Sequence, residues 1–178
     1  MNRFLSEESI ALHREYIRLK RLKYSIIECS VTALQDADIR DIYRMKISSR
    51  DRRDALDLLS QIRLHELFFS SFSERLYPRS SLVSSTYGSE ANFLNLIYKC
   101  ALDLPHGFVA IYCNGGRVDV REITDHTDAF RSRVPTLALD VCEHVYFTDY
   151  GFDKERYLSS ALPYLDLTRL SVTQSADG

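Results

Sequence analysis

The sequence contains no tryptophan and only four cysteines among its 178 residues. The cysteines are scattered along the chain and form no C-x-x-C pair: Cys29, Cys100, Cys113 and Cys142. This spacing excludes the disulfide framework on which small secreted domains depend. Free thiols suit a reducing compartment, and we expect a cytoplasmic protein.

The sequence also lacks a strong excess of charge, a long apolar run and a secretion signal. Its formal net charge is −2 and its pI is about 6.2, which excludes a general electrostatic attraction to nucleic acid. No apolar stretch approaches the length of a membrane span. The opening stretch, MNRFLSEESIALHREY, carries too many charges for a signal peptide. We therefore expect neither a nucleic-acid partner nor a membrane-bound protein.

Several catalytic motifs are missing as well. There is no H-E-x-x-H metal motif, no Walker loop and no G-x-G-x-x-G, and GSEA at residues 88–91 is not a nucleophile elbow. The composition itself is that of a globular protein, with 45% apolar and 27% charged residues. A chain of this length can form one domain or two tightly packed lobes.

The first third of the chain predicts two long helices. Ser6 is a plausible N-cap for a helix that extends to about Val31. A second helix is expected from Ser48 or Ser49 to about Leu76, where Pro78 prevents its continuation. The two helices should form an antiparallel hairpin. Apolar residues recur near helical spacing in the first helix: Ile10, Leu12, Tyr16, Ile17, Leu19, Leu22 and Ile26.

The second half of the chain mixes strands and helices. The serine-rich residues 79–88 are expected to be a linker, and residues 89–104 a capped helix. Three strands are expected at residues 107–113, 117–124 and 134–140, with a last helix after Asp153. The predicted fold class is α+β, a helical hairpin lobe (residues 1–78) followed by an α/β lobe with a small three-stranded antiparallel sheet (residues 89–178).

Three histidines and one aspartate stand at positions where a metal site is conceivable. His13 lies within the first helix and His65 lies beside phenylalanines in the second. Asp140 ends a buried strand, four residues before His144. Three imidazoles and one carboxylate suit a first-row metal such as iron or manganese, with one coordination position open. The alternatives are core histidines bonded to carbonyl groups and an aspartate that caps a helix.

The segment LDVCEHVYFTDYG (residues 139–151) resembles the C-terminal signature of iron/manganese superoxide dismutases, D-x-W-E-H followed by aromatic residues. SEESIALHREY and QIRLHELFF resemble the family's two helical segments that carry metal histidines. GSEANFLNLIYKCALDL and GFVAIYCNGGRVDV match its C-terminal lobe in order and length. The resemblance covers nearly the whole chain, and D-x-x-E-H is its most specific motif.

The resemblance implies a metal ligand set, a substrate and an assembly. The ligands would be His13, His65, Asp140 and His144, the metal iron or manganese, and the substrate superoxide. Gln61, one turn before His65, corresponds to a glutamine that iron-type members place beside the metal-bound solvent, so iron is preferred.

In the family, the glutamate of W-E-H crosses a dimer interface to the partner's metal histidine. Glu143 would have that role here, in a homodimer. The alternative for Gln61 is a polar helix residue between the lobes, and for Glu143 a solvated side chain beside a helix start.

Several positions depart from the family's pattern. The family's gateway tyrosine falls on Arg21, a histidine one turn before it falls on Ile17, and the tyrosine expected after the last ligand is Phe147. Cys142 replaces the tryptophan of D-x-W-E-H, and the pocket's other tryptophans become Phe69, Phe108 or smaller residues.

Two of these replacements have more than one interpretation. Arg21 could attract an anion, or it could belong to a solvated basic face with Arg14 and Arg18. Cys142 could be redox-active or a small core residue. The sequence thus predicts a metal-dependent superoxide dismutase or, alternatively, a divergent protein of that fold with little dismutase activity and a metal-binding or interaction role.

Overall fold

A computed structural model describes residues 4–171, so the expected loose tail at residues 173–178 lies outside the described residues. Seven α-helices and three strands follow one another in the described chain. The helices are α1 (Glu7–Ser30), α2 (Ile39–Ile42), α3 (Ser49–Ser70), α4 (Ser81–Tyr87), α5 (Glu90–Asp103), α6 (Glu143–Tyr150) and α7 (Lys154–Ala161). The strands are β1 (Phe108–Asn114), β2 (Arg117–Ile123) and β3 (Leu137–Asp140).

Helices α1 and α3 pack against each other as an antiparallel hairpin. Phe4, before α1, contacts Phe72, after α3, whereas Arg21, later in α1, pairs with Glu66, earlier in α3. The Ser6 hydroxyl accepts the Ser9 N–H at 3.1 Å, as expected for an N-cap.

Helix α3 ends at Ser70, earlier than the predicted Leu76. The backbone beyond it bonds to the C-terminal segment instead. Ser73 N–H donates to the Tyr164 carbonyl at 2.7 Å, and Asp166 N–H donates to the Ser71 carbonyl at 2.8 Å. This long-range pairing replaces the hydrogen bonds of two further helical turns, and local sequence does not reveal it.

The expected linker at residues 79–88 contains a short helix, α4. The buried Ser80 hydroxyl accepts the Val83 N–H at 3.3 Å and so caps the helix, and Val83 is fully buried. A serine-rich stretch predicts a loop, but a serine can also begin a helix, and burial of Val83 favours the helix here. The division into two lobes on either side of this segment stays a prediction.

The three strands form one antiparallel sheet in the order β2-β1-β3. Gly115 and Gly116 join β1 to β2, with φ of 56° and 76°, as a two-residue hairpin turn requires. The central strand β1 pairs Phe108 with Asp140 on one side and with Ile123 on the other. This register brings the end of β3 beside the start of β1. The α+β fold class is confirmed.

Among residues 4–171, no helix is both long enough and apolar enough to cross a membrane.

Candidate metal centre

Two of the candidate ligands come from the helical hairpin. Helix α1 buries Ser9, His13 and Ile17, which follow one another at one-turn spacing on its inner face. His65 lies on the buried face of α3, and its Nδ1 is 2.6 Å from the Gln61 carbonyl oxygen. A carbonyl only accepts, so Nδ1 carries the proton and the lone pair of the neutral ring is on Nε2.

The other two candidate ligands come from the junction between β3 and α6. Asp140 is the last residue of β3 and is completely buried. Its Oδ1 accepts the Cys142 N–H at 2.9 Å, and its backbone carbonyl accepts the Tyr157 hydroxyl at 2.8 Å. Cys142 is the N-cap of α6, so Asp140 precedes the cap, and these bonds leave Oδ2 free to face His144 in the first turn.

The four side chains converge on one point. Nε2 of His13, of His65 and of His144 lies 3.7, 3.5 and 3.7 Å, respectively, from Asp140 Oδ2. One donor atom from each residue lies within 4.8 Å of all the others. Thus α1, α3, β3 and α6 each contribute one candidate ligand.

Three of these converging atoms have no hydrogen-bond partner among the described residues, although they are buried: His13 Nε2, His65 Nε2 and Asp140 Oδ2. An unpartnered buried polar atom costs about 1–3 kcal/mol, so a fold that assembles three of them needs something to bind them. A cation satisfies two imidazole lone pairs and a carboxylate oxygen together. Three nitrogen donors and one oxygen donor fit iron or manganese.

Burial prepares the protonation states that a cation needs. Desolvation, assisted by the neighbouring imidazoles, lowers the pKa of His13 to about 2. Desolvation also lowers the pKa of His65 to about 4 and lowers that of His144. For Asp140, desolvation raises the pKa to about 6, still below neutrality. At neutral pH the centre therefore presents three neutral imidazoles and one carboxylate.

Aromatic rings surround the histidines. The Phe68 ring stacks on His13 at 5.6 Å between centroids, and the Phe69 ring meets His13 edge to face at 5.0 Å. Phe108 meets His65 edge to face at 5.1 Å. These contacts fix the ring orientations and keep water from the buried side of the centre.

One comparison with known proteins identifies the family of this chain. Residues 79–171, more than half of the chain, match the family model of iron/manganese superoxide dismutases, C-terminal domain. The chain belongs to the iron/manganese superoxide dismutase family. A comparison with curated proteins found no significant match.

The matched region contains Asp140 and His144 but neither of the N-terminal histidines. His13 and His65 therefore join the centre on the geometry alone, from a part of the chain that the family model does not cover. That independent convergence supports the ligand set that the resemblance implies. The role of the four residues as metal ligands stays a prediction.

Gln61 lies beside this centre, one turn before His65 and largely buried. Its Oε1 accepts the Tyr16 hydroxyl at 3.0 Å. Sequence reasoning missed Tyr16, because the family's gateway tyrosine is expected at position 21. On a helix, however, residue 16 follows residue 13 by three positions and so shares the inner face with His13. That spacing is the signal by which Tyr16 could have been found.

The structure does not bring Arg21 against the four ligands. Its guanidinium pairs with Glu66 on the outer side of the hairpin, in a surface pocket shared with Arg14, Ile17 and Arg18. The structure leaves Glu143 exposed in the first turn of α6, beside His144. The assigned roles of Arg21 and Glu143 stay predictions.

Cys142 is held at the edge of the centre as a protonated thiol. Its Sγ accepts the Gly107 N–H at 3.2 Å. Burial, together with the nearby Asp140, raises the pKa of this thiol to about 12. The thiolate is the reactive form of cysteine, so burial disfavours a redox role for Cys142 and favours its interpretation as a small core residue.

A fourth histidine near the centre was also missed. His126 begins a 3₁₀ turn (His126–Phe130) in the segment between the second and third predicted strands. Its ring lies parallel to that of His65 at 6.5 Å and meets Phe108 at 5.8 Å. Desolvation lowers the pKa of His126, so it stands near the ligands as a neutral ring. No local sequence pattern marks this position.

The pKa values predict how metal binding depends on pH. Below about pH 6, one proton competes with the metal for Asp140, while His13 and His65 stay neutral to lower pH. Affinity for Mn²⁺ should therefore be constant above about pH 7 and fall at least tenfold per pH unit below about pH 6, where His144, whose pKa is also lowered, can add a second proton. Competition with a chromophoric chelator between pH 5 and pH 8 measures this slope. If the logarithm of the affinity fell by three units per pH unit below pH 6, the buried histidines would also be taking up protons in this range, which would contradict the prediction.

Proposed function

We propose that this protein is a metal-dependent superoxide dismutase that converts superoxide to oxygen and hydrogen peroxide at a site formed by His13, His65, Asp140 and His144. One observation carries the proposal: the buried, unpartnered donor atoms of this set meet at one point. A three-histidine, one-carboxylate set leaves a coordination position open for a small substrate.

The bound ion would supply one-electron exchange, which oxidises superoxide in one half-reaction and reduces it in the other. The chain supplies the surroundings. Gln61 fixes the ring of His65 through its carbonyl and the phenol of Tyr16 through its side chain. Reduction of superoxide consumes protons, and the Tyr16 hydroxyl is a proton donor beside the ligands. Tyr16 thus takes the place of the tyrosine that position 21 lacks.

We propose iron as the preferred metal, with manganese as the alternative. Gln61 stands on the same helix as His65, one turn before it, which is the arrangement of iron-type members implied by the family resemblance. A neutral amide beside the metal tunes its potential through hydrogen bonding.

We further propose a homodimer in the cytoplasm. The His144 side chain is 43% exposed in the single chain, whereas the side chains of His13 and Asp140 are fully buried. A second copy over α6 would cover His144 and bring its own Glu143 to this ring as a hydrogen-bond acceptor. The four cysteines are free in the described chain, which suits a reducing compartment.

Metal analysis together with a superoxide assay tests the function. The protein should bind one iron or manganese ion per chain, and the metal-loaded form should dismutate superoxide while the metal-free form does not. An Asp119→Asn variant, altered only at a surface ion pair with Arg133, should behave as the wild type. Stoichiometric metal without dismutation would contradict the proposal.

A second candidate function follows from two apolar replacements. Ile17 is buried where the family resemblance expects a histidine, and Phe147 is half exposed where it expects a tyrosine. Loss of this polar pair favours a divergent protein of the same fold, with little dismutase activity and a metal-binding or interaction role. The same assay separates the two candidates, because this one predicts bound metal with turnover near that of the metal-free control.

A further inference from the structure

Asp57, Gln61 and His65 form a line at one-turn spacing on α3, joined by one hydrogen bond through the Gln61 side chain and one through its backbone carbonyl. Gln61 Nε2 donates to Asp57 Oδ2 at 2.8 Å, and the Gln61 carbonyl accepts the His65 Nδ1–H at 2.6 Å. Asp57 is half-buried and joins no ion pair with another described residue. Its one described side-chain hydrogen bond is that to Gln61.

The carboxylate of Asp57 decides which way the Gln61 amide faces. An ionised carboxylate only accepts hydrogen bonds, so the amide nitrogen of Gln61 must point toward Asp57. The amide oxygen then points the other way, where it accepts the Tyr16 hydroxyl at 3.0 Å. Without Asp57, the Gln61 amide loses its fixed orientation, and the oxygen that accepts the Tyr16 hydroxyl is no longer held in place.

Tyr16 connects this line to the most exposed ligand. Its ring stacks on His144 at 5.3 Å with an interplanar angle of 28°, and lies 5.1 Å from the His65 ring. The other ligand side chains are at most 1% exposed, whereas that of His144 is 43% exposed. Tyr16 is therefore one of the few rings that pack on the least enclosed of the four candidate ligands.

We propose that Asp57 is a positioning residue of the metal centre: its carboxylate orients the Gln61 amide, which holds Tyr16 against His65 and His144. The inference rests on the proposed metal site but requires no dismutase activity. Asp57 does not contact a candidate ligand directly but acts through Gln61. In other proteins, hydrogen-bond partners outside the ligand set adjust metal affinity in the same way.

Two readouts test this on the full chain. In the ¹⁵N-labelled metal-free protein, Asp57→Ala should shift the side-chain amide resonances of Gln61, because their anionic acceptor is gone. Mn²⁺ affinity, measured with a competing chelator, should fall about tenfold. Asp57→Asn should fall between the wild type and Asp57→Ala, since its amide oxygen can still accept the Gln61 N–H but its own N–H groups also permit the reversed Gln61 amide.

Two further variants supply the controls. Asp54→Ala removes an exposed acid from the same helix, 3.8 Å from Arg50, and should change neither readout. Tyr16→Phe removes the hydroxyl that Gln61 accepts, so its Mn²⁺ affinity should match that of Asp57→Ala. The double variant should bind Mn²⁺ only slightly more weakly than either single variant. If Asp57→Ala does not fold, Tyr16→Phe and Asp57→Asn still give the comparison.

Three results would overturn the inference: unchanged Gln61 resonances in Asp57→Ala, an affinity loss no larger than that of Asp54→Ala, or an Asp57→Asn variant as weak as Asp57→Ala. The last would show that charge, not orientation, matters. These measurements concern binding alone, so a protein without dismutase activity would refute the proposed function and leave this test intact.

Discussion

Replacing Asp140 with asparagine should abolish stoichiometric metal binding and, at the same time, stabilise the metal-free protein. Asp140 is the one carboxylate in the ligand set, and its Oδ2 lies 3.5–3.7 Å from three imidazole nitrogens. Asparagine keeps the shape of the Asp140 side chain, but all four groups that could coordinate the metal are then uncharged. The loss of affinity should exceed the roughly 100-fold that removal of an outer hydrogen-bond partner costs.

The gain in stability follows from the pKa of Asp140. Burial raises this pKa from 3.8 to about 6, so keeping the carboxylate ionised in the folded protein costs on the order of 3 kcal/mol at pH 8. The folded pKa is above the unfolded one, so this cost is fully present above about pH 6 and disappears below about pH 4. Asparagine avoids it, and its amide N–H can donate to an imidazole nitrogen that otherwise lacks a partner.

Urea unfolding of both metal-free proteins at pH 8 and at pH 4 measures the effect. The variant should be more stable at pH 8, by up to about 3 kcal/mol, and should lose that advantage at pH 4. Asp119→Asn, at a surface ion pair, should change stability by less than about 1 kcal/mol. A less stable Asp140→Asn protein at pH 8, or one that still binds metal stoichiometrically, would show that Asp140 has another role.

Helix α1 illustrates how much of the fold could be predicted from the sequence. Its span was predictable from the Ser6 cap, but its apolar spacing was a poor guide to its orientation. The exposed side carries Leu12, Leu19, Leu22 and Ile26, while Ser9 and His13 face inward. Hydrophobic periodicity assumes an apolar buried face. A helix that turns polar metal ligands inward does not meet that assumption. The family resemblance therefore indicated the inward position of His13 better than hydrophobic periodicity did.

The remaining differences arise from contacts between distant segments. Tyr16 lies beside the candidate ligands because α1 crosses α3 near Gln61. The family resemblance does not suggest this contact, because it places the family's tyrosine at the position that Arg21 occupies here. Helix α3 ends early because residues 71–73 bond to residues 164–166. His126 reaches the centre through a turn that folds back toward His65. Each depends on tertiary geometry, which local propensity does not encode.

A second large effect is expected at Gly107, the residue immediately before β1. Its φ of +114° is unfavourable for any other residue. An added Cβ would lie 2.1 Å from the Ile123 carbonyl oxygen, which belongs to the backbone of the neighbouring strand and cannot rotate away. Gly107→Ala should therefore destabilise the metal-free protein by about 3 kcal/mol or more.

The same substitution should weaken metal binding, because Gly107 also holds the segment that follows Asp140. Its N–H donates to Cys142 Sγ at 3.2 Å, and its carbonyl accepts the Val141 N–H at 3.0 Å. Displacing Gly107 moves these two residues and, with them, the Asp140 carboxylate, whose Oδ1 is fixed by the Cys142 N–H. A displaced ligand coordinates less well, so the loss of stability and the loss of affinity share one cause.

Gly115→Ala is the matched control for this prediction. Gly115 also has a positive φ, +56°, but an added Cβ would meet no atom within 4 Å. This variant should lose only about 1–2 kcal/mol, the cost of a left-handed backbone at a residue with a side chain. Urea unfolding and Mn²⁺ titration of both variants separate the two effects, because Gly107→Ala adds a steric conflict whereas Gly115→Ala adds backbone strain alone. Equal losses of stability, or unchanged Mn²⁺ affinity in Gly107→Ala, would show that the junction at Gly107 does not position Asp140.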